Sequence, residues 1–349
     1  MFLLKMCEGN NLKLKKMTLT SIGSIEKKIF SVAPGVWGMR DVFVNFYMIQ
    51  NTTDDNWVLV DAGLKWSSGK IKRMANFLFG ENSKPSAIIL THGHFDHVGS
   101  LQKLAEEWDV PVFAHYMEIP YLTGRASYQP TDSSVGGGMM AYMAWLYPSS
   151  PINIWNRVNV LPGDGTIPGL DDWKYIHTPG HAPGHISLFR ATDKALIAGD
   201  AFVTTCQESA LSVATQKKKI SGPPKYFTYD WNAAERSVQD LAALQPKVAA
   251  TGHGKPMRGA ELRDSLLNLS QHFEEVAVPS KGRYLDDPAV ADANGFIYIP
   301  ESDGNNSRLA WKAGAVSALA VLTIVLLNQK KKRKKKYENG NLLDFEYNF

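Results

Sequence analysis

Short apolar runs alternate along most of the chain with amphipathic stretches and polar turns, the rhythm of an α/β protein. Val42 to Gln50 (VFVNFYMIQ) and Trp57 to Val60 (WVLV) read as strands joined by the polar turn NTTDD, and the second runs straight into Asp61-Ala62-Gly63. Gly69 to Phe79 has helical spacing, Ala87 to Leu90 (AIIL) is a short buried strand, Leu101 to Trp108 is a helix and Val110 to Ala114 another strand. The pattern continues through strands at Trp173 to Ile176, Ile186 to Arg190, Ala195 to Ala198 and Val248 to Ala250.

Two regions break the rhythm. Residues 116–160 are rich in Met, Tyr, Trp and Pro and read as an insertion over a pocket; residues 203–230 form a second long connection. Long connections inside a compact domain are often functional lids. The pattern divides the chain into an N-terminal tail (1–27), a folded domain (28–275), a C-terminal extension or linker (276–308), an apolar span (309–327) and a basic, then polar, tail (328–349). The first segment is a poor secretory signal, broken by Lys5, and Met17 is an alternative start. From Ala313 the span reads AGAVSALAVLTIVLL without interruption, so the expectation is a single membrane-spanning anchor of minimal length, with Lys312 snorkelling at its entry and a single-pass membrane localisation of open orientation.

Charge changes the picture in one respect. The formal +4 includes seven positive charges from Lys330 to Lys336, and 4 − 7 leaves the rest at −3, so the folded part offers no basic surface for nucleic acid. Cys7 and Cys206, the two cysteines, make neither a disulfide framework nor a zinc–cysteine cluster.

The chemistry is concentrated in histidine. Three of the nine histidines fall within THGHFDHVG, at the carboxyl end of the strand AIIL. In extended backbone, positions i and i+2 project to one side, so His92 and His94 suit one metal ion, and Asp96 and His97, after a turn, suit another. Imidazole with carboxylate points to Zn²⁺, with iron or manganese as alternatives. His181 in HTPGH, Asp200 at the end of ALIAGD and His253 in ATGHGKP each follow a strand beside glycine and complete the donor set. His177 and His185 read as structural or as supports beside the ligands, and His115 and His272 as incidental.

These segments, in this order, resemble the metallo-β-lactamase superfamily over residues 28–275, most closely the hydrolase branch that includes glyoxalase II and the N-acyl homoserine lactonases. The resemblance implies an αββα sandwich with two Zn²⁺ at one edge. His92, His94 and His181 would hold the first ion and Asp96, His97 and His253 the second. Asp200 would bridge them, and Asp61 would orient ligands. It implies a zinc-bound hydroxide that cleaves an ester, thioester or lactone, with Asp96 and Asp200 as proton acceptors. His94 argues against the oxygen-reducing di-iron branch. The alternatives are a mononuclear iron sulfur dioxygenase or a phosphodiesterase. Lactonases carry a tyrosine three residues after the bridging aspartate; here that position is Val203, with Tyr226 and Tyr229 on the following loop. Lys255 and Arg258 only hint at a glutathione-binding cluster. The apolar insertion suggests a hydrophobic or acyl-bearing small molecule, and the span a membrane partner.

Overall fold

The computed structural model describes residues 28–54 and 56–301. Seven strands form one sheet in sequential order: β1 (Ile29–Ala33), β2 (Val36–Asp41), β3 (Val44–Gln50), β4 (Trp57–Val60), β5 (Ala87–Ile89), β6 (Val112–Ala114) and β7 (Val158–Val160). The first four pair antiparallel, and β4 to β7 pair parallel. A second sheet runs β13-β12-β11-β10-β9-β8, from β8 (Thr166–Ile167), β9 (Leu170–His177), β10 (Ile186–Arg190), β11 (Ala195–Ile197), β12 (Val248–Ala250) and β13 (Met257–Arg258). Within it β11 and β12 are the parallel pair.

The central strands are apolar on both faces, and the pleat sorts their side chains between layers. Tyr47, Ile49, Val58, Val60 and Ile89 meet Trp173, Ile186, Leu188, Ile197 and Val248 between the two sheets. Phe46, Met48, Trp57, Leu59 and Ile88 instead pack with residues of helices Ser68–Phe79 and Leu101–Trp108. Leu196, Ala198 and Ala249 pack with helices Trp231–Ala243 and Gly259–Gln271. The result is helix, sheet, sheet, helix. Each buried aliphatic side chain contributes about 1.5–3 kcal/mol, so both sides of each sheet need their cover.

The expectations drawn from the C-terminus are corrected. No described helix is long and apolar enough to cross a membrane. The longest described helices, Trp231–Ala243 and Gly259–Gln271, have 13 residues each. At about 1.5 Å per residue they span about 20 Å, short of a hydrocarbon core of about 30 Å. The expected span, 309–327, lies outside the described residues, as does the tail 1–27. Among the described residues the fold is a mixed α/β sandwich with no helix able to cross a membrane, and the membrane partner and membrane localisation built on that expectation are withdrawn. The described part of 276–308 includes a hairpin of β14 (Val290–Asp292) and β15 (Gly295–Tyr298), with Phe296 beside Tyr121 and Tyr229.

Candidate metal centre

The parallel pairs end at a common edge. Asp61 follows β4, Thr91 and His92 follow β5, Asp200 follows β11 and His253 follows β12, while His181 sits in the loop between β9 and β10. Two backbone bonds sew the sheets together there: Asn45 N–H donates to Gly252 O (2.7 Å) and Ile186 N–H to Thr91 O (2.9 Å). Asn45 Nδ2 also donates to Thr251 O and Gly254 O, both at 2.8 Å, fixing the turn that carries His253. The chain leaves β5 extended to His94, whose extended backbone starts the short helix Phe95–Val98, so Asp96 and His97 lie in its first turn.

All seven donor residues are buried, and their donor atoms form three overlapping groups: His92, His94 and His181; His92, His97 and Asp200; Asp96, His97 and His253. Within each group the donor atoms lie within 4.8 Å of one another. Asp200 Oδ2 is 3.5 Å from His181 Nε2, 3.7 Å from His97 Nε2 and 3.1 Å from His253 Nε2, so it stands between the first and third groups. Asp96 Oδ2 is 3.6 Å from His253 Nε2. Gly252 belongs here because a Cβ at that position would collide with Asp200 Oδ1.

Among the buried polar atoms without a hydrogen-bond partner are Nε2 of His92 and His97 and Oδ1 of Asp200, while His94 Nδ1 and His181 Nε2 face each other at 3.0 Å. Unpartnered polar atoms of this kind are costly in a packed interior, and nitrogen with carboxylate oxygen is the chemistry of a zinc-type site. The residues therefore fit a bound metal.

Neighbouring groups orient the candidate ligands. Asp61 accepts from Thr91 N–H and Thr91 Oγ1–H, both at 2.8 Å, and from His97 Nδ1 at 2.8 Å. Thr91 Oγ1 in turn lies 3.0 Å from His92 Nδ1. Since the hydroxyl proton goes to Asp61, the oxygen accepts from His92. One carboxylate thus keeps the proton on Nδ1 of both His92 and His97 and leaves each Nε2 for the site. His253 Nδ1 donates to Phe43 O at 2.7 Å. His185 Nε2 accepts Asp200 N–H at 2.8 Å, and its Nδ1 contacts Thr178 Oγ1 at 2.8 Å, so this histidine holds the backbone of Asp200.

Burial lowers His92 and His94 well below the usual histidine range, reinforced by the neighbouring imidazoles, and takes His181 down to about 3. For His97 burial acts in the same direction but is outweighed by Asp61, Asp200 and Asp96, so its pKa is raised; His253 is raised by Asp200 and Asp96 against burial. Burial alone would raise Asp200, yet His253 and His97 hold it well below the usual carboxylate range.

The two long connections meet over this edge. Met140 N–H donates to Glu208 O (2.9 Å) and Asp132 N–H to Tyr226 O (2.9 Å), while Gln129 Nε2 donates to Phe227 O (2.6 Å). Phe227 stacks on His94 with centroids 4.2 Å apart, beside Phe95, Met140, Tyr147 and Tyr226. Of the two tyrosines on the loop after Val203, Tyr226 feels Asp96 and Asp200, although burial is the main cause of its raised pKa. Tyr229 instead packs with Tyr284, Ala289 and Phe296. Val203 is buried, paired with Ser221. A cavity of about 660 Å³ lies at the other end of β3, lined by Asn51, Thr53 and Arg190. Its arginine is already neutralised by Asp193 at 2.8 Å, so it lacks a free cation.

Sequence reasoning missed Thr91, Phe43, Phe227 and Glu118. Thr91 was visible as a hydroxyl beside His92, but nothing local shows that it reaches Asp61. Glu118 was visible only as an acid in the largely apolar segment Met117–Leu122.

The model of the metallo-beta-lactamase superfamily matches residues 39–253. The chain is 44% identical over 261 residues to "Probable metallo-hydrolase YflN" of Bacillus subtilis (strain 168), covering 74% of this chain and 98% of that protein. It is 29% identical over 202 residues to "Probable metallo-hydrolase YybB" of the same organism, covering 58% of this chain and 77% of the relative. Among solved structures it resembles a metallo-beta-lactamase family protein of Thermus thermophilus, with a TM-score of 0.47, 20% identity, and coverage of 70% of this chain and 81% of the other.

Proposed function

The chain belongs to the metallo-β-lactamase superfamily and is a metallo-hydrolase of it, and from that premise we propose a dinuclear zinc hydrolase acting on an ester, thioester or lactone with an apolar acyl part. The observation that carries this reading is the overlap of the three donor groups, with His92 and His97 each shared and Asp200 between the outer two. That arrangement suits two adjacent cations rather than one. His92, His94 and His181 would hold the first, Asp96, His97 and His253 the second, and Asp200 both.

When bound, such a pair lowers the pKa of a coordinated water toward neutrality and polarises a substrate oxygen. The chain's own groups supply the rest. Asp61 keeps His92 and His97 in the ligating tautomer, acting on His97 directly and on His92 through Thr91. Asp96 and Asp200 are the carboxylates at the site and the proposed proton acceptors during turnover. Phe227, Tyr147, Phe95 and Met140 form an apolar wall beside His94, which excludes water and favours an acyl chain. Tyr226 lies on the same connection and is the proposed hydrogen-bond donor to the substrate oxygen.

The test is a panel of aryl esters, thioesters, acyl lactones and phosphodiesters offered to the full chain and to His94→Ala. Hydrolysis of the carbonyl substrates that disappears in His94→Ala supports the reading. Turnover of phosphodiesters alone, or activity unchanged by His94→Ala, would contradict it.

A further inference from the structure

Glu118 lies outside every donor group, yet it is fully buried at the foot of the metal centre. Its Oε1 accepts Gly184 N–H at 2.7 Å, its Oε2 accepts Gly93 N–H at 2.8 Å, and the Tyr128 hydroxyl donates to Oε2 as well. Gly93 N–H is shared with the Tyr128 oxygen at 2.9 Å. Gly93 separates His92 from His94, and Gly184 lies between His181 and His185. One carboxylate therefore bridges the two loops that carry the first donor triad, although they are remote from it in sequence.

The surroundings are shaped around that bridge. A Cβ on Gly93 would come within 2.6 Å of the Tyr128 hydroxyl, and one on Gly184 within 2.8 Å of Glu118 Cγ. Gly93 thus lies too close to the Tyr128 hydroxyl, and Gly184 too close to Glu118 itself, to carry a side chain. Tyr128 is held between Tyr121, with ring centroids 4.0 Å apart, and His94, at 4.5 Å. Each hydrogen bond the Glu118 carboxylate makes is one it accepts, and burying a carboxylate is expensive unless such donors converge on it.

We propose that Glu118, with Tyr128, is the positioning residue of the metal centre, setting the spacing of His92 and His94 against His181 by clamping Gly93 and Gly184 to one carboxylate. The inference rests on the metallo-hydrolase reading. Replacing the carboxylate by an amide leaves one oxygen to accept, while the amide N–H₂ must face the other backbone N–H. One loop is then released.

The test is zinc binding by the metal-stripped full chain, read by competition with a chromophoric chelator, together with the absorption spectrum of the cobalt-loaded protein. Glu118→Gln is expected to weaken zinc binding by about 10–100-fold, the range for groups that orient ligands, and to change the cobalt spectrum. A role confined to stabilising the fold would leave that spectrum alone. Tyr128→Phe keeps the ring between Tyr121 and His94 and should weaken binding several-fold. If Glu118→Gln does not fold, Tyr128→Phe decides. Wild-type zinc affinity and an unchanged cobalt spectrum in the folded variants would overturn the inference alone, whereas a wild-type chain that takes up no metal would overturn the metallo-hydrolase reading and the inference with it.

Discussion

Asp61→Asn probes the network hardest while disturbing its shape least. Asp61 is 1% exposed and adopts φ +63°, a left-handed conformation that asparagine tolerates, so the backbone is kept. The introduced carbonyl can still accept Thr91 N–H, but the amide N–H₂ now points at Thr91 Oγ1 and His97 Nδ1. In the relaxed variant His97 accepts at Nδ1 and carries its proton on Nε2, and the Thr91 hydroxyl is free to donate to His92 Nδ1, with the same result there. Both ligating nitrogens are then blocked. Restoring the ligating tautomer of His97 sets two N–H groups against each other in a buried place, at about 1–3 kcal/mol. That is about 5–150-fold in zinc affinity. Losing the Asp61 charge also lowers the proton affinity of His97, which works the other way, so a loss of about 10-fold or more is the expected net result. Zinc competition on the full chain measures it, with melting of the metal-free protein to confirm folding. Affinity within twofold of wild type in a folded variant would refute the tautomer argument.

Other predictions follow from the same geometry. Zinc uptake displaces protons held on His97 and His253 but almost none from His92, His94 and His181, so one of two binding events should weaken steeply as pH falls while the other persists to lower pH; calorimetry in buffers of different ionisation enthalpy measures the released protons. Phe227→Ala removes the ring stacked on His94 and should raise KM for long-acyl esters more than for acetyl esters, a selectivity that equal KM changes would deny. Tyr226→Phe should lower kcat with little change in KM if its hydroxyl meets the substrate oxygen, and unchanged kinetics would remove it from the reaction. His115, held at about 4 by burial and the stacked His177, binds its proton more weakly folded than unfolded. Stability should therefore rise with pH between about 4 and 6.5, and His115→Gln should flatten part of that slope in urea titrations.

What could be read from the chain follows from how its patterns arise. WVLV and the helix Leu101–Trp108 announce themselves because their apolar positions face packed layers on a regular period, and the structure places them at the expected residues. The two-residue strands β8 and β13 carry no period at all. The apolar pattern of β2 is interrupted by Gly38, where Phe30 and Tyr47 leave no room for a side chain. The apolar span at the C-terminus has the composition of a membrane helix, yet none of the described helices has that length or character. At the candidate site, the residues proposed as donors stand out in the sequence because they cluster at strand ends beside glycine. Their supports are not, since Glu118 meets Gly184 from 66 residues away, and His253 meets Phe43 from 210. Only the folded chain puts those pairs together.

The central claim is that this edge holds two zinc ions used for hydrolysis. Its most direct test is elemental analysis of the full chain purified without added metal, with hydrolysis and oxygen uptake followed on the same preparation. The account predicts two zinc ions per chain, carbonyl-ester or lactone hydrolysis abolished by chelation and restored by zinc, and no oxygen consumption. One iron per chain with oxygen uptake and no hydrolysis would contradict it.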